Sequence, residues 1–221
     1  MKPLHELINR TEPAWPIVRQ WIAQATNPVE VLPPPDDATR GQALVDTQVT
    51  TRSPMGAVIH ETGGILVDHG WLRILGSGHP RLPRSLPSWN HPRTFQPSGV
   101  PPPFLLVADD AAGGFFAVDG GGLQTDRGKV CYFGPDMQKW ESLKRGYGEF
   151  LDLCFRMDLA KFYGTLRWPG WEQEVSALYG DEVMDFYPPV WTQGPPLENR
   201  SRRPVPVAEF YRLMVDANAC D

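Results

Sequence analysis

Apolar positions repeat with a helical period at both ends of the chain and with a strand-like pattern in its middle. Near the start, Trp15, Val18, Trp21 and Ile22 form one apolar stripe, which predicts a helix over 14–25. Near the end, apolar stripes and helix start and stop signals predict four more helices. They cover 147–155, 159–166 (with Asp158 as its N-cap), 169–180 and 206–217.

The middle of the chain is instead rich in short β-prone runs separated by glycine. Alternation over 43–49 indicates a strand, and 55–76 reads as two or three short antiparallel strands with tight turns. The runs 103–110, 114–119 and 129–135 follow one another at the spacing of an antiparallel meander. These patterns predict an α+β fold with a central antiparallel or mixed curved sheet between N-terminal and C-terminal helices.

The whole chain, 1–221, fits one domain with three stretches of different character. A helical segment with a Pro-rich connection occupies 1–40, the sheet occupies 41–140, and a helical part occupies 141–221. The Arg/His/Pro-rich segment 77–103 has few apolar positions and predicts a long loop within the sheet region.

Composition favours a cytoplasmic protein. No run approaches the roughly 18 apolar residues of a membrane-spanning helix, and the charged, Pro-containing start does not resemble a signal peptide. The odd set of cysteines, Cys131, Cys154 and Cys220, forms no C-x-x-C pair. We therefore expect free thiols and no disulfide framework.

Five glycines within 113–123 raise the question of a phosphate-binding loop. A P-loop requires Lys followed by Ser or Thr, but Lys129 precedes Val130 here. A dinucleotide fingerprint requires a helix after the glycines, whereas a strand is predicted there. The glycines Gly120, Gly121 and Gly122 therefore predict a hairpin turn, and no nucleotide cofactor is expected.

Histidines and aspartates supply the ingredients of a hydrolase or metal enzyme without its usual spacing. His60, His69 and His79 are nine and ten residues apart, unlike the compact H-E-x-x-H pattern. Asp109 and Asp110 are adjacent, so strand geometry would point them to opposite faces, and at a strand end they favour a turn. Catalysis by these histidines with Asp109 or Asp110 remains the alternative to a binding role.

No carboxylate occurs between Asp68 and Asp109, although net charge over the whole chain is −5. Such an interval can present a positive surface to an acidic partner, or it can be a solvated loop balanced by other charges. Tryptophan is typical of binding hot spots and equally typical of cores. The candidate binding residues are Arg73, Arg81, Arg84, Arg93, Trp71, Trp89 and Trp140. The cluster at 200–203 is too small a basic feature in an acidic chain to predict nucleic-acid binding.

Several long motifs resemble a known family. "PPFLLVADDAAGGFFAVDGG", "GKVCYFGPDMQKWESLKRGYGEFLDLCF" and "DLAKFYGTLRWPGWEQEV", with "WLRILGSG" and "SRRPVPVAEFYRL", are similar to the bacterial domain of unknown function number 2625 over about 40–215. More distantly, 104–155 resembles the Smi1/Knr4-like (SUKH) superfamily, although 77–103 is not part of that common core. This resemblance implies an α+β fold, no shared catalytic set and, for many bacterial members, an immunity role against toxins.

We therefore predict a non-enzymatic cytoplasmic protein that binds another protein. The partner could be a toxin with an acidic surface, and neither a cofactor, a nucleic acid nor a membrane is expected. A small-ligand sensor with a pocket between sheet and helices is a third hypothesis, and the oligomeric state stays open.

Overall fold

The structure is a computed structural model that describes residues 1–96 and 100–216. Its α-helices are α1 (Leu4–Leu7), α2 (Trp15–Ala23), α3 (Asp37–Thr47), α4 (Pro54–Glu61), α5 (Leu86–Asn90), α6 (Tyr147–Arg156), α7 (Leu159–Tyr163), α8 (Trp171–Ala177) and α9 (Val207–Tyr211). Its strands are β1 (Val29–Leu32), β2 (Gly64–Val67), β3 (Leu72–Leu75), β4 (Phe104–Asp110), β5 (Phe115–Asp119), β6 (Val130–Phe133), β7 (Trp140–Arg145), β8 (Glu182–Tyr187) and β9 (Ser201–Pro206).

Strands β1 to β7 form one antiparallel sheet in which spatial order follows chain order, and β8 and β9 form a separate hairpin. The predicted α+β class is confirmed, and the predicted meander is β4–β5–β6. Phe116 on one face of the sheet packs against Phe150 of α6. On the other face, Phe115 packs against Tyr211 of α9, which also contacts Trp89 of α5. Helices therefore cover both faces.

A single row of directly opposed residues crosses all seven strands. Directly opposed residues share a face of a sheet, so this row lines one face from edge to edge. Its charged members lie toward the β1 edge and its aromatic members toward the β7 edge. The row is Glu30, Leu66, Arg73, Asp109, Phe115, Phe133 and Trp140.

Two predicted strand regions are helical. The predicted strand 43–49 lies mostly in α3, and the first part of 55–76 is α4. The side chain of Asp36 caps α3 by accepting a hydrogen bond from Thr39 N, and Ser53 caps α4 in the same way through Gly56 N. Both caps lie just before the runs whose alternation resembles a strand, and a helix that starts at a cap overrides weak β propensity.

Segment 77–103 is not simply a loop. A capping box at Ser85 starts α5, and Leu82, Leu86 and Trp89 are buried in the core. The buried Asn90 side chain donates to Leu106 O and accepts from Leu106 N, in the manner of a strand partner. These contacts hold the described part of the segment on β4, beside the bulge between Leu106 and Ala108. Residues 97–99 lie outside the described part.

The segment boundaries drawn from the sequence also need correction. The Pro-rich connection within 1–40 contains edge strand β1, and the helical part 141–221 contains the β8–β9 hairpin as well as most of β7. Val183, Met184 and Phe186 of β8 are buried, and the prolines Pro188 and Pro189 follow directly after the strand. A two-stranded hairpin with proline-rich ends carries a weak strand signal.

The predicted helices at the two ends are largely confirmed. They correspond to α2, α6, α7, α8 and α9, and Asp158 caps α7 by accepting from Lys161 N. The last predicted helix, 206–217, continues beyond α9 as a π-helical turn over Arg212–Asp216, and residue 217 lies outside the described residues. Cys131 and Cys154 are buried free thiols, whereas Cys220 lies beyond the described part. Within the described ranges, every helix is too short or too polar to cross a bilayer.

Candidate functional site

A buried ion network occupies the middle of the cross-strand row. The Asp109 carboxylate, fully buried, accepts from Arg73 Nε at 2.6 Å and from Arg84 Nη1 at 2.5 Å. Arg84 Nε also donates to Asp181, just before β8. Two guanidinium groups are thus neutralised by two carboxylates. The predicted positive surface is therefore wrong for Arg73 and Arg84, whose side chains are only 3% and 7% exposed.

The other candidate binding residues also lie mainly in the interior. Trp71 and Trp89 are buried, and Arg93 stacks over Trp89 with its Cζ 3.6 Å from the ring centroid. Trp140 is half-buried on edge strand β7, where it packs against Phe104 and Phe133. Arg81 alone of this set is more than half exposed, and it pairs with Glu30. These residues do not meet in one interaction surface, because burial separates them.

Asp110 organises a turn from the interior. Its Oδ1 accepts from Ala112 N at 3.0 Å and Gly114 N at 2.8 Å, and its Oδ2 accepts from Tyr132 Oη at 2.8 Å. Desolvation raises the pKa of Asp110 to about 6, against the lowering effect of these hydrogen bonds. The turn-forming interpretation of Asp110 is confirmed, and Asp109 is an ion-pair centre.

The histidines and aspartates of the catalytic alternative make separate contacts and do not form one catalytic group in the structure. His60 Nδ1 lies 2.7 Å from Glu61, while His69 belongs to the β2–β3 turn and His79 accepts from Arg81 N. Asp109 and Asp110 are each occupied by the internal contacts described above. Within 1–96 and 100–216, no three His, Cys, Asp or Glu side chains are grouped as metal ligands.

The Gly-rich loop forms the predicted hairpin turn between β5 and β6, and its N–H groups bind a carboxylate of the chain itself. Asp119 accepts from Gly121 N at 2.6 Å and from Leu123, Thr125 and Asp126 N at 3.2 Å. A phosphate would have to displace this carboxylate. The loop is therefore built around an internal anion.

A cleft of about 350 Å³ opens between the β1 side of the sheet and α8. It brings together Arg81, His69 and Arg73, which the sequence marks as candidates, with residues that no sequence pattern marks. Those include Glu30, Leu66, Val175, Ser176, Leu178 and Tyr179. Nothing in the segments 28–30 and 175–180 indicates a binding site from sequence, and only the fold places them opposite the β2–β3 turn.

The second exposed feature is a surface on the β8–β9 hairpin, formed by Tyr187, Trp191, Arg203 and Leu213 and called here the hairpin surface. Tyr187 is 76% exposed and Leu213 is 60% exposed. This surface was not predicted, because 182–187 lies in the part of the chain expected to be helical. The run "EVMDFY" between a helix stop and a Pro-Pro pair was the available signal.

Comparison with known proteins finds one family model along most of the chain. The model described as "Protein of unknown function DUF2625" matches residues 4–210. The chain is also 44% identical over 213 residues to "Putative uncharacterized protein YbfG" of Escherichia coli, which covers 96% of this chain and 95% of that protein. It is 44% identical over 188 residues to an "Uncharacterized protein" of Haemophilus influenzae, and this match covers 85% of this chain and 82% of that protein.

Proposed function

The chain belongs to the DUF2625 family, whose description names no activity, and on this premise we propose that it is a non-enzymatic binding protein that holds another protein on the hairpin surface. The observation that carries the proposal is the exposure of Tyr187 and Leu213 beside Arg203. Aromatic and arginine side chains dominate the energetics of protein interfaces.

Exposure of these apolar groups is unusual because most of the chain's large apolar side chains are buried in the core. Tyr187 ends β8, and Leu213 extends from the turn after α9 to the same groove. Large exposed apolar groups that share one patch commonly mark an interaction site, whereas single ones do not. We therefore expect the hairpin surface to be covered by a protein partner and not to remain exposed to water.

The connection between β8 and β9 is held rigid from within, which would favour binding. The Arg200 guanidinium donates to Pro188 O at 3.0 Å, to Pro195 O at 2.9 Å and to Thr192 O at 3.1 Å, and also to Pro189 O. A surface that is already ordered loses less conformational entropy when it binds. Arg200 thus supports Trp191 and Tyr187 without itself being available to a partner.

Charge at the hairpin surface favours an acidic partner. Arg203 is exposed, and it forms no ion pair with another described residue. Asp185 lies opposite Arg203 in register and offsets part of this charge. A partner carboxylate that meets Arg203 would gain a charge-assisted hydrogen bond at the rim of an aromatic contact.

An intracellular toxin with an acidic surface is the partner that the SUKH resemblance suggests, and neutralisation of such a toxin in the cytoplasm is part of this proposal. The arginines within 73–93 are not part of the proposed binding site, because their charges are internal or paired. A secreted-toxin gene beside the gene for this chain would support the immunity role.

The proposal predicts position-specific cross-linking. A photo-reactive phenylalanine analogue placed at residue 187 should cross-link one protein in the native host, which mass spectrometry can identify. With that protein purified, calorimetry should show that Tyr187→Ala weakens binding by about 2 kcal/mol or more, the size of a hot-spot loss. Arg203→Glu should also weaken it, through repulsion.

The same analogue at residue 17 is the matched control, since Ile17 is exposed by 46% on α2. It should give no cross-link to that protein, and Ile17→Ala should leave the affinity unchanged. Equal cross-linking from both positions, or an affinity insensitive to Tyr187→Ala and Arg203→Glu, would remove the hairpin surface as the binding site.

A further inference from the structure

The cleft between β1 and α8 has the size and lining of a small-molecule site. Its volume of about 350 Å³ falls in the range of ligand pockets. Leu66, Val29, Val175 and Leu178 provide apolar wall, while charged groups stand at defined positions around it. Neither the family description nor the hairpin surface accounts for this cleft.

One ion pair at the cleft offers both charges to a ligand. Arg81 Nη2 donates to Glu30 Oε2 at 3.0 Å, with a second contact between Nη1 and Oε1. The hydrogen bond from Arg81 is the main reason why the pKa of Glu30 lies below its usual value, so Glu30 is anionic at neutral pH. Both side chains are a little over half exposed, and such pairs open at a cost of at most about 1 kcal/mol.

His69 is held at the cleft in a conformation that costs free energy. Asp68 and His69 have φ of 54° and 60°, a left-handed region that costs roughly 1–2 kcal/mol per non-glycine residue. Arg167 fixes the turn through Asp68 Oδ2 at 2.6 Å, and Pro28 O accepts from Asp68 N at 2.8 Å. The imidazole packs against Trp171 in a T-shaped arrangement, with 6.1 Å between the ring centroids. Strained residues that a fold maintains in this way are concentrated at functional sites.

We propose that the cleft binds a small zwitterion with a free carboxylate, a free ammonium group and an apolar side chain, as in an apolar amino acid. The ligand carboxylate pairs with Arg81 and accepts from His69, the ammonium pairs with Glu30, and the apolar part lies on Leu66, Val175 and Leu178. A simple anion would leave its negative charge beside Glu30, and a simple cation would face Arg81. A zwitterion replaces the internal ion pair with two external ones.

Three probes that share the leucine side chain test this charge pattern: L-leucine, 4-methylpentanoate, which lacks the ammonium, and isoamylamine, which lacks the carboxylate. In ¹H–¹⁵N spectra of the full chain, L-leucine should shift the amide signals of His69, Gly70 and Ser176. Each of the other two probes should bind at least about tenfold more weakly, the effect of losing one charge-assisted contact. Arg81→Gln and Glu30→Gln should each weaken the binding of L-leucine to a similar degree.

The exposed pair Arg52–Glu12, at 2.8 Å, is the matched control, because it lies outside the residues that line the cleft. Arg52→Gln and Glu12→Gln should leave L-leucine binding unchanged. Equal binding of all three probes, full binding by Arg81→Gln, or no shift with any probe at millimolar concentration would overturn the proposal. None of these results depends on the hairpin surface, so the two proposals can fail separately.

Discussion

At the scale of the residue, Asp110 shows how burial changes a carboxyl group that the sequence marks only as part of a turn. The side chain is fully buried, and its pKa is raised to about 6 mainly by desolvation. In the unfolded chain the same group titrates near 4. The folded state therefore binds a proton more tightly than the unfolded state does between these two pH values.

The stability contribution of this proton is complete below about pH 4 and is lost as pH rises toward about 6, by up to about 3 kcal/mol. Asp110→Asn resembles the protonated form and should abolish this dependence, since its amide oxygen can still accept from Ala112 and Gly114 N. Urea denaturation of both proteins across that pH window measures the difference. Parallel curves for the wild type and the variant would contradict the raised pKa.

The sequence predicted the hydrogen-bond or ion-pair partners of some side chains and not of others. The Asp158 cap and the Gly-rich hairpin could be predicted because cap and turn chemistry act within a few residues. The fate of Arg73 and Arg84 could not, because their carboxylate partners lie 36 and 25 positions away in the chain. Charge counting along a sequence cannot distinguish a surface arginine from one paired inside the fold.

At the scale of the element, the β4–β5 turn depends on a glycine for two reasons. Gly113 has φ of 90°, and a Cβ at this position would lie 2.2 Å from Phe210 Cε1. Gly128 has φ of 82°, with open space around the same position. Both glycines therefore adopt a positive φ, but only at Gly113 would an added Cβ also clash with a neighbouring side chain.

Gly128→Ala should therefore lower the free energy of unfolding by about 1 kcal/mol, from backbone strain alone. Gly113→Ala should lower the free energy of unfolding by about 1–3 kcal/mol more than Gly128→Ala does, because the Phe210 ring is buried and has little room to move. Chemical denaturation gives both values. Combining Gly113→Ala with Phe210→Leu should recover part of the extra loss, and a strictly additive double variant would argue against this clash.

Element type was predictable where the pattern was long and local. The meander β4–β5–β6 and helix α6 carry strong alternation or a clear stripe, and both are in place. Helices α3 and α4 were missed because their start signals, Asp36 and Ser53, precede a stretch rich in β-branched residues. The cleft and the hairpin surface were not predicted because each is assembled from segments that are distant in the sequence, and no local pattern within those segments indicates a binding site.

At the scale of the whole molecule, Asp109 joins the sheet to the β8–β9 hairpin through Arg73 and Arg84, with which it forms ion pairs. Arg73 Nη1 donates to Glu182 O, and Arg84 binds both Asp181 and Gly180 O. Asp109→Asn would leave two buried guanidinium groups without their shared carboxylate. Breaking such a buried pair typically costs about 3–5 kcal/mol.

We expect this loss in chemical denaturation, together with faster hydrogen exchange of the backbone amides over 180–187, where the hairpin meets the sheet. Glu12→Gln, which breaks the exposed pair with Arg52, is the control and should change neither measurement appreciably. If Asp109→Asn behaved like this control, the network would not be a significant source of stability.

The network also bears on the order in which the chain can fold as it is synthesised. Arg84 and Asp181 are 97 positions apart, so a nascent chain that ends before Asp181 already holds Arg73, Arg84 and Asp109, with one positive charge in excess. Burying that charge without its last partner is unfavourable, and contacts this distant in sequence form slowly. A ribosome-bound chain that stops after β7 therefore has every strand of the large sheet, yet completion of the sheet waits for the final third of the protein.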